Sequence, residues 1–248
     1  MLEKVNGLIL RTQDYGETNK IVTFFTKEYG VLSAVARGAK KSKSRMAAVT
    51  QPFIYGQFLL QIGKGLGTVH QGDPLHSMRH IREDIIKTAY ATYMGELTIK
   101  TLNDRDKNVP LFEELLKSFE RLEEDVPPLA IALIYELKVF HVGGYGPVVS
   151  QCVNGHEDLP IVGFSVSEGG VVCEQCRHRS ADVVPLSPKT YSVLRLMSHT
   201  SIARVRNISI KEETLTLINQ ILNDYYDYYG GMPLKSKRFL EQIHLFES

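Results

Sequence analysis

Residues 5–37 read VNGLILRTQDYGETNKIVTFFTKEYGVLSAVAR and contain three runs rich in Val, Ile, Leu and Phe. Turn residues separate these runs, at Asp14-Tyr15-Gly16 and at Glu28-Tyr29-Gly30. Apolar runs bounded by such turns are typical of β-strands. The same pattern continues beyond residue 37, across the turn at Gly63-Lys64-Gly65. It predicts strands at 5–12, 18–26, 31–37, 52–62 and 67–73.

Five strands in so short a segment favour a closed barrel over an open sheet. An open sheet of this size would expose the hydrogen-bonding groups of its edge strands, and closure removes those edges. We therefore predict a five-stranded OB-fold barrel over residues 1–80. An SH3-like barrel and a small sandwich are the alternatives.

From Ile81 onward the apolar spacing becomes helical. Helices are predicted at 81–102, 111–122 and 129–142, and further helices after residue 180. Ser187-Pro188 is a predicted helix start, and Ser209 with Glu212 matches a capping box. The predicted fold class is therefore α+β in more than one domain. A barrel at 1–80 precedes an all-helical domain at 81–248, which a zinc-finger-like insertion at 148–180 interrupts.

The charge of the chain is unevenly distributed. The 248 residues carry a net charge of +1, but residues 1–80 hold 11 Lys and Arg against 5 Asp and Glu. The remaining residues hold 18 and 23 respectively. Such asymmetry is typical of proteins with a basic face for nucleic acid or a membrane surface. The apolar runs are too short for a membrane span, and the N-terminus lacks the long apolar stretch of a signal peptide, so we expect a cytoplasmic protein without a membrane partner.

The basic residues concentrate between two predicted strands. The run at 37–45 contains no acid and holds Arg37, Lys40, Lys41, Lys43 and Arg45. Small spacers keep these groups solvated, which suits contact with phosphates, although a merely solvated loop is the alternative. Arg11, Lys20 and Lys64 are weaker candidates for the same role. Aromatic side chains on the barrel could stack on bases or fill its core; the candidates are Tyr15, Phe53, Tyr55 and Phe58.

The three cysteines lie within 25 residues of one another, at Cys152, Cys173 and Cys176. Cys173 and Cys176 have the spacing of a zinc knuckle, and a hairpin at Gly169-Gly170 would bring Cys152 alongside. The spacing predicts a structural zinc site with four protein ligands. His156 is the first candidate for the fourth ligand, with His178 and Asp158 as alternatives. The site could also have lost its metal, leaving buried free thiols.

Motifs for catalysis are missing from the sequence. It has no G-x-S-x-G, no H-E-x-x-H and no Walker spacing, and the H-x-E with P-C-x-x-C of zinc deaminases is absent. We therefore expect a protein that is not an enzyme. A protein-interaction adaptor, whose barrel and zinc module bind polypeptide, is the alternative to a nucleic-acid binder.

Several segments, taken in order and spacing over nearly the whole chain, resemble the RecO family of bacterial recombination mediators. The resemblance rests on Gly7–Arg11 with Tyr15–Glu17, Ile21–Thr26 ahead of Gly30, Ala36–Lys40 with Ser44-Arg45, Gln51–Phe53, Tyr135–Leu137 ahead of Gly143–Tyr145, Phe164–Cys176, and Ser236 with Arg238–Leu240.

The resemblance implies an N-terminal OB domain and a helical domain with a zinc-finger-like insertion. It implies binding of single- and double-stranded DNA, annealing of complementary strands, and help in loading RecA onto strands coated by single-strand-binding protein. The implied partners are RecR, the acidic C-terminal tail of single-strand-binding protein and, indirectly, RecA. Family members with a full metal site carry two C-x-x-C pairs. Gly155 stands where the second cysteine would be, so either His156 substitutes for it or the metal is lost.

Overall fold

The computed structural model describes residues 1–205 and 208–247. Internal contacts divide the chain into two compact units. The first comprises Met1–Pro128 with Leu234–Ser248, and the second comprises Leu129–Pro233. The predicted α+β class is confirmed, whereas the predicted boundaries at residue 80 and at 148–180 stay predictions.

Five strands form a closed barrel in the first unit. They are β1 (Leu2–Tyr15), β2 (Asn19–Thr26), β3 (Gly30–Ala36), β4 (Tyr55–Gln61) and β5 (Gly67–His76). Their order around the barrel is β1-β2-β3-β5-β4, and the neighbours are antiparallel except for β3 and β5. A short helix, α1 (Arg45–Val49), follows β3 and precedes β4. This strand order with a helix after the third strand is that of an OB fold, so the predicted barrel is confirmed.

The barrel interior is filled by apolar side chains, because alternate residues of each strand point inward. Phe24 and Phe58 are fully buried and meet edge to face, with ring centroids 4.9 Å apart. A Cβ atom on Gly7 would lie only 3.3 Å from the Phe24 ring and 3.4 Å from the Phe58 ring. Gly7 therefore leaves the room that these two rings occupy.

The remaining helices follow the barrel. They are α2 (Arg79–Glu83), α3 (Ile85–Thr101), α4 (Val109–Glu123), α5 (Pro128–Val142), α6 (Pro188–His199), α7 (Glu212–Tyr229) and α8 (Lys235–Glu247), with a 3-10 turn at Ile202–Arg204. The predicted helix at 81–102 is divided at Asp84, whose side chain caps α3 by accepting hydrogen bonds from the Ile86 and Lys87 N–H groups at 2.8 and 3.0 Å. None of the helices within the described residues combines the length and apolar character that a membrane crossing requires.

The second unit contains a small three-stranded sheet together with α5, α6 and α7. Its strands are β6 (Ile161–Ser165), β7 (Gly170–Cys173) and β8 (Val183–Pro185), in the order β7-β6-β8. The predicted hairpin turns at Gly169, which has a φ of +86°. Ser187 caps α6 as predicted, accepting a hydrogen bond from the Thr190 N–H at 3.1 Å. The predicted capping box at Ser209 is wrong, because α7 begins at Glu212 with Lys211 as its N-cap.

Candidate nucleic-acid interface and metal centre

The basic run forms the connection from β3 to α1 on the outside of the barrel. Its five charged side chains are all exposed, at Arg37, Lys40, Lys41, Lys43 and Arg45. Tight turns shape the connection, since the Lys41 N–H donates to the Gly38 carbonyl at 3.1 Å and the Ser44 N–H donates to the Lys41 carbonyl at 2.9 Å. The Ser44 side chain then caps α1, accepting from the Met46 N–H at 3.2 Å. The basic loop, defined as residues 37–45, therefore has a fixed backbone and solvated side chains.

The hairpin between β1 and β2 holds the basic loop in place. The Gly38 N–H donates to the Asn19 side-chain oxygen at 3.0 Å, and the Lys40 N–H donates to the Thr18 carbonyl at 2.9 Å. The Lys40 ammonium lies 2.8 Å from a carboxylate oxygen of Asp14. Loop and hairpin thus form one continuous surface.

The three weaker basic candidates, Arg11, Lys20 and Lys64, do not all lie near the basic loop. Lys20 pairs with Ala36, the last residue before the basic loop, so it lies beside that loop. Arg11 is exposed on β1, three residues before Asp14. Because β3 and β5 run parallel and Ala34 pairs with Gly67, the β4–β5 hairpin lies toward the opposite end of β3. Lys64 is in that hairpin, so the structure does not bring it to the basic loop.

The four aromatic candidates differ in how far they are exposed to solvent. Phe53 and Phe58 are buried, and Phe53 packs against Phe119 with ring centroids 5.5 Å apart, so neither face is open to a base. Tyr55 is half-buried and stacks on His76. Tyr15 is 49% exposed and lies at the end of β1, in the hairpin that holds the basic loop. Of the four, Tyr15 has the position of a stacking platform beside the phosphate-binding candidates.

Sequence reasoning missed Asp14 and Asn19 as members of this surface. Both contact the basic loop through the register of β1, β2 and β3, which brings together residues 19 and 26 positions apart. The turn residues around Tyr15 predicted the β1–β2 hairpin, but they did not predict that the basic loop lies beside it. Only the strand order of the barrel connects the two segments.

The second unit holds a group of four side chains suited to a metal. Cys152, His156, Cys173 and Cys176 each offer one ligand atom, and these atoms lie within 4.8 Å of one another. Cys173 ends β7, and a turn in which the Cys176 N–H donates to the Cys173 carbonyl at 3.0 Å brings Cys176 back beside it. The three cysteines are buried and His156 is half-buried. Hairpin and turn therefore assemble the predicted cluster.

The geometry favours His156 among the three candidates for the fourth ligand. Its Nδ1 atom lies 3.3 Å from the Cys173 sulfur and 3.4 Å from the Cys176 sulfur. His178 and Asp158 are exposed and stand outside the group of four. Gly155 has a φ of +79°, a backbone conformation that a cysteine rarely adopts. The turn at Gly155 thus moves the ligand position one residue along, to His156.

The local hydrogen bonds prepare the cluster for a cation. Burial acts to raise the pKa of the Cys152 thiol, but N–H groups of Asn154 and Cys173 point at its sulfur, and the net result is a pKa of about 6. The Cys173 N–H is 3.4 Å from that sulfur. Burial and the neighbouring thiols raise the pKa of Cys176. A bound cation would stabilise the thiolate forms of the three sulfurs, which repel one another when they are deprotonated side by side.

These residues fit zinc. Zinc–ligand bonds of about 2.3 Å to sulfur and 2.0 to 2.1 Å to nitrogen set the ligand atoms of a tetrahedral site about 3.5 to 3.8 Å apart. The ligand atoms of the cluster lie within 4.8 Å of one another, close enough for small shifts to close on one ion, and three sulfurs with one imidazole make a donor set typical of structural zinc. All four positions come from the protein. A bound ion would therefore cross-link the segments around Cys152 and Cys173 without an open position for chemistry.

Comparison with known proteins places both parts of the chain in one family. Residues 1–78 match the family profile described as Recombination protein O N terminal, and residues 82–238 match Recombination protein O C terminal. The chain belongs to the recombination protein O family. Over 247 residues it is 44% identical to the proteins named DNA repair protein RecO of Bacillus cytotoxicus, Bacillus mycoides and Bacillus cereus, with 100% of both chains covered each time. Membership of the RecO family supports a role in DNA repair and recombination, and the resemblance found in the sequence is confirmed.

Proposed function

We propose that the protein is a DNA-binding recombination mediator. It binds single-stranded DNA across the basic loop and the β1–β2 hairpin, and it also binds double-stranded DNA through phosphate contacts. It anneals complementary strands and helps load RecA onto strands coated by single-strand-binding protein. The observation that supports this best is the exposed, acid-free basic loop fixed on an OB barrel beside Tyr15.

Annealing follows from the chemistry of that surface. Two strands repel each other through their phosphates, and a basic surface lowers this repulsion by replacing the counterions of the DNA. Arg37, Lys41, Lys43 and Arg45 are exposed on a loop that backbone hydrogen bonds of Gly38, Lys40, Lys41 and Ser44 hold in shape. Contacts to phosphate leave the base edges free to pair. The surface therefore concentrates strands without blocking their recognition of each other.

The proposed protein partners are RecR, the acidic tail of single-strand-binding protein and, indirectly, RecA. A basic patch beside an apolar group suits an acidic tail. Lys235 and Arg238 are exposed at the start of α8, with Lys237 between them, and the neighbouring Phe239 is 42% exposed. This arrangement supports α8 as a site for the tail.

The remaining parts of the proposal concern chemistry and place. We propose that the protein has no catalytic activity of its own and that the metal cluster is structural, holding the fold of the second unit. Because its proposed target is chromosomal DNA, we propose a cytoplasmic, nucleoid-associated protein.

The first prediction tests DNA binding and annealing directly. Replacing Lys40, Lys41 and Lys43 by Ala should weaken single-strand binding regardless of sequence. It should also flatten the salt dependence, by a slope of about 0.7 for each phosphate that the loop no longer neutralises. Annealing of complementary oligonucleotides without nucleotide should slow in parallel. The measurements are fluorescence anisotropy at several salt concentrations and a strand-annealing assay.

A matched control removes the same charge elsewhere. Lys100, Lys107 and Lys189 are exposed and outside the basic loop, and their triple Ala variant should keep most of the slope. Wild-type protein that neither binds nor anneals DNA would instead favour an adaptor that binds polypeptide. Equal losses in both triple variants would contradict the assignment to the basic loop.

A further inference from the structure

One member of the basic loop differs from the other four. Lys40 forms an ion pair with Asp14, with 2.8 Å between the ammonium nitrogen and a carboxylate oxygen. Within residues 1–205 and 208–247, no ion pair is found for Arg37, Lys41, Lys43 or Arg45. The centre of the loop therefore carries its own anion, whereas its flanks do not.

The carboxylate is placed by the sheet rather than by chance contact of two long side chains. Asp14 is short, belongs to β1 and pairs across the hairpin with Lys20. On the other side, the backbone of Lys40 is tied to Thr18. The hydrogen bond from Lys40, and the charge of Lys20 behind it, hold the pKa of the Asp14 carboxyl below its usual range. Asp14 is thus an anion at neutral pH, with its carboxylate 2.8 Å from the Lys40 ammonium.

We propose that Asp14 is an internal counterion that competes with DNA phosphate for Lys40 and so limits the grip of the basic loop on DNA. This inference rests on the proposed function. A phosphate that reaches Lys40 must displace the carboxylate and then lie close to it, whereas a phosphate at Lys41 or Lys43 meets no such rival. Each strand is therefore held less tightly than five free cations would hold it. A weaker grip suits annealing, because bound strands must shift against each other until their bases pair.

The second prediction is that Asp14→Asn strengthens DNA binding. Freeing Lys40 should tighten binding of a fluorescent oligothymidylate about two- to five-fold at low salt, the range expected for a surface ion pair. The slope of log affinity against log salt should become steeper by up to about 0.7, because one more cation displaces counterions from the strand. Titrations between about 50 and 200 mM salt measure both effects, and the affinities of variant and wild type should converge as salt rises.

Two controls separate the pair from the general field of the protein. Glu17 is an exposed acid of the same hairpin for which no ion pair is found in the described part of the chain, so Glu17→Gln removes an equal charge without freeing Lys40. It should leave the slope as in wild type. In a Lys40→Ala background, Asp14→Asn should lose its effect on the slope. Asp14 and Lys40 are both exposed, and thermal unfolding of each variant verifies that the fold is kept.

The results distinguish this inference from the proposed function. Wild-type binding that weakens in the triple Lys variant supports the function, whatever Asp14 does. If Asp14→Asn then behaves like Glu17→Gln, or acts equally with Ala at position 40, the internal counterion is overturned and the function stands. Wild-type protein that does not bind the oligonucleotide at low salt overturns both.

Discussion

At the scale of single residues, the sequence predicted the candidate metal cluster and named His156 first for its fourth position, while spacing alone left His178 and Asp158 open. The spacing of Cys173 and Cys176 and the nearness of Cys152 are local properties, so the sequence could predict that the three sulfurs come together, as they do in the structure. His156, His178 and Asp158 lie at comparable distances along the chain, and spacing alone could not choose between them. The choice depends on the positive φ of Gly155, which turns His156 toward the sulfurs while His178 stays exposed.

The third prediction follows from that geometry. His156→Ala removes a direct ligand of the proposed site. Loss of a hydrogen bond that merely supports a ligand weakens metal binding about 10- to 100-fold, and we expect this variant to weaken zinc binding by more than that. His178→Ala is the matched control and should keep wild-type affinity. Competition with a chromophoric chelator measures both variants. Equal affinities for His156→Ala and wild type, or a weaker affinity in His178→Ala, would show that the fourth ligand is assigned wrongly.

At the scale of helices and strands, local sequence signals predicted the individual elements but not which elements contact one another. Apolar runs bounded by turn residues predicted all five barrel strands, since both signals act within a few positions. Ser187 was identified as a cap for the same reason. The prediction for Ser209 is wrong because α7 begins only at Glu212, and its N-cap Lys211 makes no side-chain capping hydrogen bond. Pairings such as Asn19 with Gly38 depend on the register of distant strands, which no local pattern contains.

The packing of α8 on α3 illustrates such a distant pairing and leads to the fourth prediction. Glu96 of α3 accepts hydrogen bonds from the Ser236 N–H at 2.8 Å and the Lys235 N–H at 3.3 Å, so it caps α8 from another helix. Burial opposes ionisation of Glu96, but these bonds and the Ser236 hydroxyl prevail and hold its pKa below the ordinary 4.5. Glu96→Gln should lower the free energy of unfolding by about 1 kcal/mol at neutral pH, as removal of a helix cap does.

The sign of its pH dependence provides a check. A carboxyl with a depressed pKa in the folded state stabilises fully above its ordinary pKa, and this contribution disappears as pH falls through the folded value. The difference between Glu96→Gln and wild type should therefore shrink below about pH 4.5 in urea titrations. Glu17→Gln serves as an exposed control with no expected effect. A difference that stays constant into acid would exclude the charged cap.

At the scale of the whole molecule, the division of charge is more complex than the sequence indicated. The surplus of basic residues in 1–80 and of acidic residues beyond suggested a basic barrel and an acidic helical body. Residues 81–128 hold 7 Lys and Arg against 11 Asp and Glu, yet they belong to the same compact unit as the barrel. Within residues 1–80, five of the 11 Lys and Arg lie in the basic loop, so the positive charge of this segment is densest there.

The fifth prediction concerns removal of the metal from zinc-loaded protein. All four ligands belong to the second unit, whereas the basic loop belongs to the first. A chelator should lower the thermal stability of the second unit, because the free energy of zinc binding adds to the stability of the folded state. Without zinc, three thiols are left crowded together. Binding of single-stranded DNA by the barrel should change little, and Cys173→Ser should reproduce both results without chelator.

Scanning calorimetry measures the thermal stability and fluorescence anisotropy measures the DNA affinity, on the same samples. A parallel loss of stability and DNA affinity would mean that the metal supports the DNA interface itself, contrary to a purely structural role in the second unit.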